Sequence, residues 1–493
     1  MKPERPLVLA FVVLLVIGAL ATGANRDLPL VRNSLVYARA SEHVIEHGFD
    51  PLPVVADSRQ SYDKPILYPW LSAPFVAGLG NHDGLRVTSF LTTAALLFAL
   101  VHFARSFRGA SERPPDAWVL WLAALGPCVV YQFWSAHPDG WFAALVVFAW
   151  SLTHRLVTRR DTDPIPRVAW LAATILAALL LKNYGLILLV SCPLYVVWNR
   201  AELRGDRRYV KRLLAGAAIA LVVIGAFVAS AATGHNPLSR LEGEGGGVAQ
   251  YGSGELWTSA RGAWLALGIA LLLQFHVAAV FAMRRSAWNR RVTAALVCFG
   301  ATYVLGLNPF PTTFYNMRYF VPLFALAALV CARGASSLSV PARRAILTAH
   351  AALSLALIAV FNCAPLYRAC APHLPKLEVN WIGVPLSLLD NLRMQQHLDQ
   401  ADILDNVNSR LPAGARLIWL DVNYYRDAQQ GVFERAGRVR ADISTQYASS
   451  RGFSSDASDY YVWRSSPRSM PPDLGRVEDL GHGLFHVVAE TAR

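Results

Sequence analysis

Charge is scarce in this chain. Only 16% of its 493 residues are Asp, Glu, Lys or Arg, where an ordinary soluble domain carries about 25%. That deficit argues against a water-exposed globule. The glycines at 243–247 are not followed by Gly-Lys-Ser or Gly-Lys-Thr, and no strand-like run precedes them, so they do not form a phosphate loop. A Rossmann glycine fingerprint and a G-x-S-x-G elbow are missing too, which removes the commonest dinucleotide and serine-hydrolase signatures. There is no internal repeat and no coiled-coil run. Cysteine is sparse. Four of six lie within apolar runs, and Cys363 and Cys370 lie just past the last run. Seven residues of continuous helix would hold that last pair ~10 Å apart, beyond disulfide reach. A helix interrupted at Pro365 would allow the bond.

What the chain does have is apolar sequence, 54% of the total, with a mean hydropathy of +0.33. It comes in blocks: Leu7–Ala24, Leu85–Phe103, Ala117–Phe133, Trp141–Leu152, Val168–Leu181, Leu186–Trp198, Leu213–Ala231, Ala263–Met283, Val292–Leu307, Phe320–Ala332 and Ala345–Phe361. A spanning helix needs about 20 mostly apolar residues, so the shorter blocks must borrow from their flanks or tilt. The pattern predicts an all-α polytopic membrane domain of about eleven spans over residues 1–361. The first run follows Lys2 and Arg5 without a convincing cleavage site, and reads as an uncleaved span.

The net charge of +13 follows the loops. One alternating set (2–5, 105–116, 155–167, 199–212, 284–291 and 333–344) carries 22 Lys and Arg, and the other, longer in total, carries 9. Basic residues in short loops mark the cytoplasmic side. The excess is therefore topogenic, and no nucleic-acid partner is expected. The expectation is a multi-pass plasma-membrane protein, in a bacterium the inner membrane. Its N-terminus is then cytoplasmic, and its first loop, Gly-rich loop and C-terminal part are extracytoplasmic.

Residues 362–493 change character, with more Asp, Arg, Ser and Pro. Strand-like runs at Arg416–Asp421, Asp459–Arg464 and Gly483–Ala489, and a helical run at Gln395–Arg410, predict a small C-terminal α/β extracytoplasmic domain. In the first outer loop, Val36–His47 is amphipathic at helical spacing and predicts an interfacial helix. Ile66–Leu79, broken by Pro69 and Pro74, predicts a second surface or re-entrant helix. The loop at 232–262 reads as a lid.

Four charged positions sit at the ends of apolar runs on one predicted side. Each supports two readings. Tyr62-Asp63-Lys64-Pro65 offers a compact cation for a phosphate, or a simple anchor in the headgroup region. Asp139, in His137-Pro138-Asp139-Gly140, is a carboxylate facing an enclosed site, or a helix N-cap. Lys182 is a cation with an anionic partner, or one that snorkels outward. Arg318-Tyr319 is a phosphate clamp, or an interface anchor. By contrast, His43-Val44-Ile45-Glu46-His47 matches the H-x-x-E-H pattern, but no protease domain accompanies it. It reads as the polar side of the loop helix, and no metal site is expected.

The order of these elements resembles the GT-C superfamily of integral-membrane glycosyltransferases, near the protein O-mannosyltransferases and the aminoarabinose-to-lipid-A transferases. The Lys-Pro block with its preceding Asp63 is the most specific part, and the resemblance covers residues 1–361. It implies transfer of a sugar from a polyprenyl-phosphate donor, with inversion, to an unidentified acceptor among the membrane lipids, glycans or proteins. Lys64, Lys182 and Arg318 would hold the donor phosphate, with Asp139 supporting the site. Asn33, Tyr37, Tyr62 and Tyr319 would contact substrate. No cofactor is implied with certainty, and a divalent cation is compatible. The family has an acidic start about four residues before the loop-helix tyrosine, where this chain has Asn33-Ser34. An amide cannot serve as a general base, so Asp27, Asp57 and Asp63 are the candidates. The alternatives are a flippase or transporter of lipid-linked sugar, a polymerase or ligase, and a non-catalytic homologue. Charges confined to span ends on one side favour surface chemistry over transport.

Overall fold

The computed structural model describes residues 5–31, 33–51, 66–107, 116–159, 162–203, 205–232, 267–307, 317–374, 378–381, 384–387, 394–420, 436–448, 460–463, 476–481 and 484–488. Its contacts divide the chain into two compact units. The larger holds Met1–Arg26, Asp63–Tyr68 and Arg86–Leu392; the smaller holds Asp27–Tyr62, Pro69–Leu85 and Arg393–Arg493.

The longer described helices run in order: α1 Arg5–Ala24, α2 Asn33–Glu46, α3 Leu67–Ser106, α4 Asp116–Ala124, α5 Pro127–Trp134, α6 Asp139–Thr158, α7 Pro164–Leu181, α8 Ile187–Trp198, α9 Arg207–Ala232, α10 Leu267–Met283, α11 from Arg290 to Leu307, α12 Val321–Ser336, α13 Val340–Phe361 and α14 Met394–Arg410. All eleven apolar blocks are helical where described, apart from a bend at 125–126. Among the described residues, seven helices are long and apolar enough to cross a membrane, or eight if the pair α4 and α5 is one span bent by 77°. The chain is a multi-pass membrane protein. The stretch Asn183–Trp198 and α10 are apolar but short, and α11 carries a π turn at Leu296–Ala301. The 77° bend has a local cause. Gly126 is extended, and Pro127, lacking an N–H, starts the next helix.

Burial sorts the spans of the larger unit. The apolar windows of α6 and of Met317–Ser336 are 78% and 83% buried, while that of α9 is 11% buried. The first two are therefore central, and α9 keeps an apolar exterior suited to lipid. Trp150 of α6 stacks on Phe299 of α11, with ring centroids 5.3 Å apart, and Tyr195 of α8 stacks on the same ring at 4.5 Å. A buried amide knot joins the ends of α1 and α13. Asn25 Nδ2 donates to the Asn362 carbonyl at 2.7 Å, and Trp134 Nε1 donates to Asn362 Oδ1 at 2.9 Å.

Two proline readings change in the structure. Pro69 and Pro74 both lie inside α3, and the break falls at Gly80 instead. Pro69 is in the first helical turn, where a missing N–H is tolerated. Gly80 has φ 77° and ψ 169°, a region open essentially to glycine alone. Pro365 likewise opens the short helix Ala364–Cys370 rather than interrupting it, and all six cysteines are free thiols.

The smaller unit contains α2, residues 69–85 of α3, α14 and a five-stranded sheet. Strands β1 Glu378–Trp381 and β2 Val384–Ser387 form a separate hairpin in the larger unit. The sheet is built from β3 Arg416–Leu420, β4 Ser444–Ala448, β5 Tyr460–Trp463, β6 Arg476–Gly481 and β7 Leu484–Val488, in the order β4-β3-β5-β7-β6. β3 is parallel to β4 and β5, and the β5–β7 and β7–β6 pairs are antiparallel. Leu417, Ile418 and Trp419 are successive and all buried, as expected of a central strand covered on both faces. α14 packs against β7.

The helix α2 is buried on most sides within this unit, including Leu35, Val36, Tyr37, Ala38, Ser41 and Val44. Ser41 Oγ pairs with Ser72 Oγ at 2.8 Å, and Asn81 donates to Glu42. Three side chains distant in sequence grip three successive carbonyls in the same unit. Arg438 Nη1 donates to Asp27 O at 3.0 Å, His82 Nε2 to Leu28 O at 2.5 Å, and His397 Nδ1 to Pro29 O at 2.8 Å.

Candidate functional site

Asp139, Lys182 and Arg318 come together in the larger unit. Asp139 is the first residue of α6, behind Pro138 as N-cap, so its carboxylate is not the cap. An acid in the first turn still suits the positive end of the helix. Lys182 lies just past the end of α7, in extended conformation, before the 3-10 turn Asn183–Leu186. That is the negative end of a helix, where a cation is favoured. Arg318 sits on the 3-10 turn Met317–Phe320 that leads into α12. Three helix termini thus deliver one acid and two bases to the same point.

The carboxylate lies between the cations. Lys182 Nζ contacts Asp139 Oδ1, and Arg318 Nε lies 3.1 Å from Asp139 Oδ2. All three side chains are buried: Asp139 and Arg318 are 2% exposed, and Lys182 is 8% exposed. Aromatic rings complete the surround. Lys182 Nζ stands 4.2 Å from the centre of the Tyr319 ring and 5.8 Å from that of Tyr184. Arg318 Nη2 donates to Tyr319 OH at 3.3 Å. Tyr303 OH donates to the Tyr319 carbonyl at 2.8 Å and fixes the backbone beside Arg318. Tyr68 and Tyr303 are close enough to feel the Asp139 charge.

Local backbone supports the placement of Asp139. Ala136 adopts φ 57°, in the left-handed region, which costs an L-residue about 1–2 kcal/mol. Gly140 abuts Thr93 Oγ1 and Gln132, so a Cβ there would clash. Thr93 is itself tied to the Ser89 carbonyl at 2.8 Å.

Electrostatics decides what this cluster can do. One carboxylate and two basic side chains leave a formal charge of +1 in this cluster among the described residues. Burying an uncompensated charge costs several kcal/mol. Arg318 Nη1 is buried without a hydrogen-bond partner among the described residues. A buried cluster with one more cation than anion, and a guanidinium N–H unpartnered among the described residues, beside aromatic rings, is suited to an anion, and a phosphate matches the guanidinium fork.

The other expected positions divide as follows. Tyr62, Asp63, Lys64 and Asp57 lie outside the described residues, as do the Gly-rich loop and Asn308–Pro311. Asn33 opens α2, and its side chain is outside them too. Asp27 is exposed and belongs to the smaller unit, with its carbonyl held by Arg438. Tyr37, in that unit, is buried in α2. His43 and Glu46 pair within α2, Nδ1 to Oε2 at 2.9 Å, and His47 Nδ1 donates to the His43 carbonyl at 2.8 Å. Tyr303 carried no signal of its own, because it lies in the apolar run at 292–307 like any packing residue. Tyr184 stood in the open, one position from Asn183 and two from Lys182.

The architecture is a polytopic helical membrane fold with an ion cluster at its helix ends. No protein-family model matches the chain, and no curated protein sequence matches it. Solved structures do match, with probability 1.00. The crystal structure of ArnT from Cupriavidus metallidurans bound to undecaprenyl phosphate is similar at 14% identity and a TM-score of 0.59, over 98% of each chain. The apo ArnT structure from the same organism is similar at 15% identity and a TM-score of 0.60, over 97% of each. The chain shares the overall fold of these ArnT structures.

Proposed function

We propose that the protein is an inverting glycosyltransferase. It moves a hexosyl or pentosyl unit from a polyprenyl-phosphate donor to a lipid, glycan or protein acceptor on the extracytoplasmic face of a plasma membrane. The observation that carries this is the buried surplus of positive charge at Asp139, Lys182 and Arg318. Support also comes from the fold, because ArnT has been solved with undecaprenyl phosphate, itself a lipid-linked phosphate.

In this reading Lys64, Lys182 and Arg318 hold the donor phosphate and stabilise it as it leaves. The acceptor hydroxyl attacks the anomeric carbon as the bond from that carbon to the phosphate oxygen breaks. The hydroxyl proton passes to the carboxylate of Asp27 or Asp63. Polyprenyl phosphate departs, and the new glycosidic bond has the opposite anomeric configuration. Asp139 separates and orients the two cations. Tyr319, Tyr37, Tyr62 and Asn33 contact the sugar or the acceptor. The membrane part, 1–361, has about eleven spans with a cytoplasmic N-terminus, and 362–493 form an extracytoplasmic domain.

The test uses the purified full chain with a panel of radiolabelled polyprenyl-phosphate sugars. Release of polyprenyl phosphate from one donor is expected, with loss in Lys64→Ala and Lys182→Ala. No binding or turnover with any donor, or turnover in both variants equal to that of wild type, would sink the proposal. Comparing Asp27→Asn with Asp63→Asn then identifies the base.

A further inference from the structure

The start of α9 carries a second concentration of charge, remote in sequence from all residues of the candidate site. Arg207, Arg208, Lys211 and Arg212 line a recess of about 620 Å³. Their spacing puts them on one side of the helix, and all four are exposed. Arg212 is paired, with Nη2 at 2.5 Å from Asp163 Oδ2. Arg207, Arg208 and Lys211 have no ion pair among the described residues. Of the nearby acids, Asp206 caps this same helix start and Glu202 is held by another basic residue. Asp206 Oδ1 accepts from the Tyr209 N–H at 2.9 Å, and Glu202 is bound by Arg291.

This is an unfavourable place for so many cations. Like charges a turn apart repel. The helix start is the positive end of the dipole, which disfavours cations and favours anions. Charge in a loop would satisfy the positive-inside rule without either penalty. Asp206 and Asp163 offset only part of this, two carboxylates against four cations, and a bound anion relieves the remainder.

The rest of α9 says what kind of anion. It is the least buried of the spans, with Leu214, Ile219, Leu221 and Val222 all exposed. Phosphate-binding side chains thus stand at the head of an unpartnered apolar helix face. A phospholipid has that arrangement of charge and chain.

We propose that the recess binds the phosphate-bearing headgroup of an anionic phospholipid, whose acyl chains lie along the exposed face of α9. The ligand chemistry is a phosphate diester on a diacyl lipid. Diphosphatidylglycerol, with two phosphates, is the best match to three unpaired cations.

The experiment uses the purified full chain in detergent. Thermal unfolding is followed against added diphosphatidylglycerol, phosphatidylcholine or inorganic phosphate, in wild type and in the combined variant Arg207→Gln, Arg208→Gln, Lys211→Gln. Wild type is expected to be stabilised by diphosphatidylglycerol and not by phosphatidylcholine. The variant should lose affinity on the order of a hundredfold, given the typical contribution of each basic residue near an anionic surface. Equal affinity in wild type and variant overturns the site. A match between inorganic phosphate and the lipid overturns the lipid as its source. Should the triple variant fail to fold, a photoactivatable anionic phospholipid is applied to wild type. Labelling concentrated at 207–214 supports the site. Labelling spread equally over the other Arg-rich stretches, such as 284–291, overturns it.

Discussion

Arg318 and Arg438 are both arginines against acidic residues of the sequence, and they are used in opposite ways. Arg318 meets the Asp139 side chain, shares it with Lys182, and has a guanidinium nitrogen to spare among the described residues. Arg438 passes over the Asp27 carboxylate and takes its main-chain oxygen, while His82 and His397 take the next two. The first arrangement is charge on charge, with more cations than anions. The second is donor on carbonyl, one for one. The difference separates a site with unused binding capacity from a clasp whose three gripped carbonyls each have a donor. Only the first has something left to offer a ligand.

Removing the shared carboxylate is the sharpest way to break that contrast. Asp139→Asn leaves two buried cations without an anion. It should destabilise the protein by about 3–5 kcal/mol, read as a fall in unfolding temperature in detergent. Combining it with Lys182→Met removes one cation as well and should restore much of the lost stability. Additive losses in the double variant would show that the pair is not coupled.

Steric support of the same carboxylate is the next test. Gly140→Ala puts a methyl against Thr93 Oγ1 and should cost about 1–3 kcal/mol, the usual effect of overpacking. Thr93→Ala in the same chain should recover part of it. Arg318→Lys comes third. It keeps the charge but loses the fork, so donor affinity should fall about tenfold while folding is little changed. Binding equal to wild type would mean that Arg318 acts only as a counter-charge to Asp139.

The smallest effect is expected in the clasp. Arg438→Met removes a donor to Asp27 O and should cost about 1 kcal/mol. Amide exchange should rise in residues 27–31 and stay unchanged around Asp139. Faster exchange at Asp139 as well would erase the distinction between the two regions.

Much of the candidate site was legible because charge is so rare. In a chain with 16% charged residues, an Asp, a Lys and an Arg at the ends of apolar runs cannot be explained as filler. Their convergence was not legible, since Asp139, Lys182 and Arg318 sit on separate helix ends that only packing brings together. The strand cores at Arg416–Leu420, Tyr460–Trp463 and Leu484–Val488 stood out as apolar or aromatic runs. Ser444–Ala448 and Arg476–Gly481 did not, because they are polar. Gly80 was hidden by two nearby prolines that a helix tolerates. Arg438, His82 and His397 left no mark at all, because their partners are backbone oxygens, which every residue has.

The clasp also sets an order of events. Arg438 is made 411 residues after Asp27, whose oxygen it binds. A ribosome adding residues from the N-terminus completes the first helix long before that donor exists. The carbonyls of residues 27 and 29 must therefore rely on water until the last hundred residues emerge and fold. The segment that leaves the first span is finished by the final part of the chain, so a premature stop anywhere before Arg438 leaves its beginning, as well as its end, incomplete.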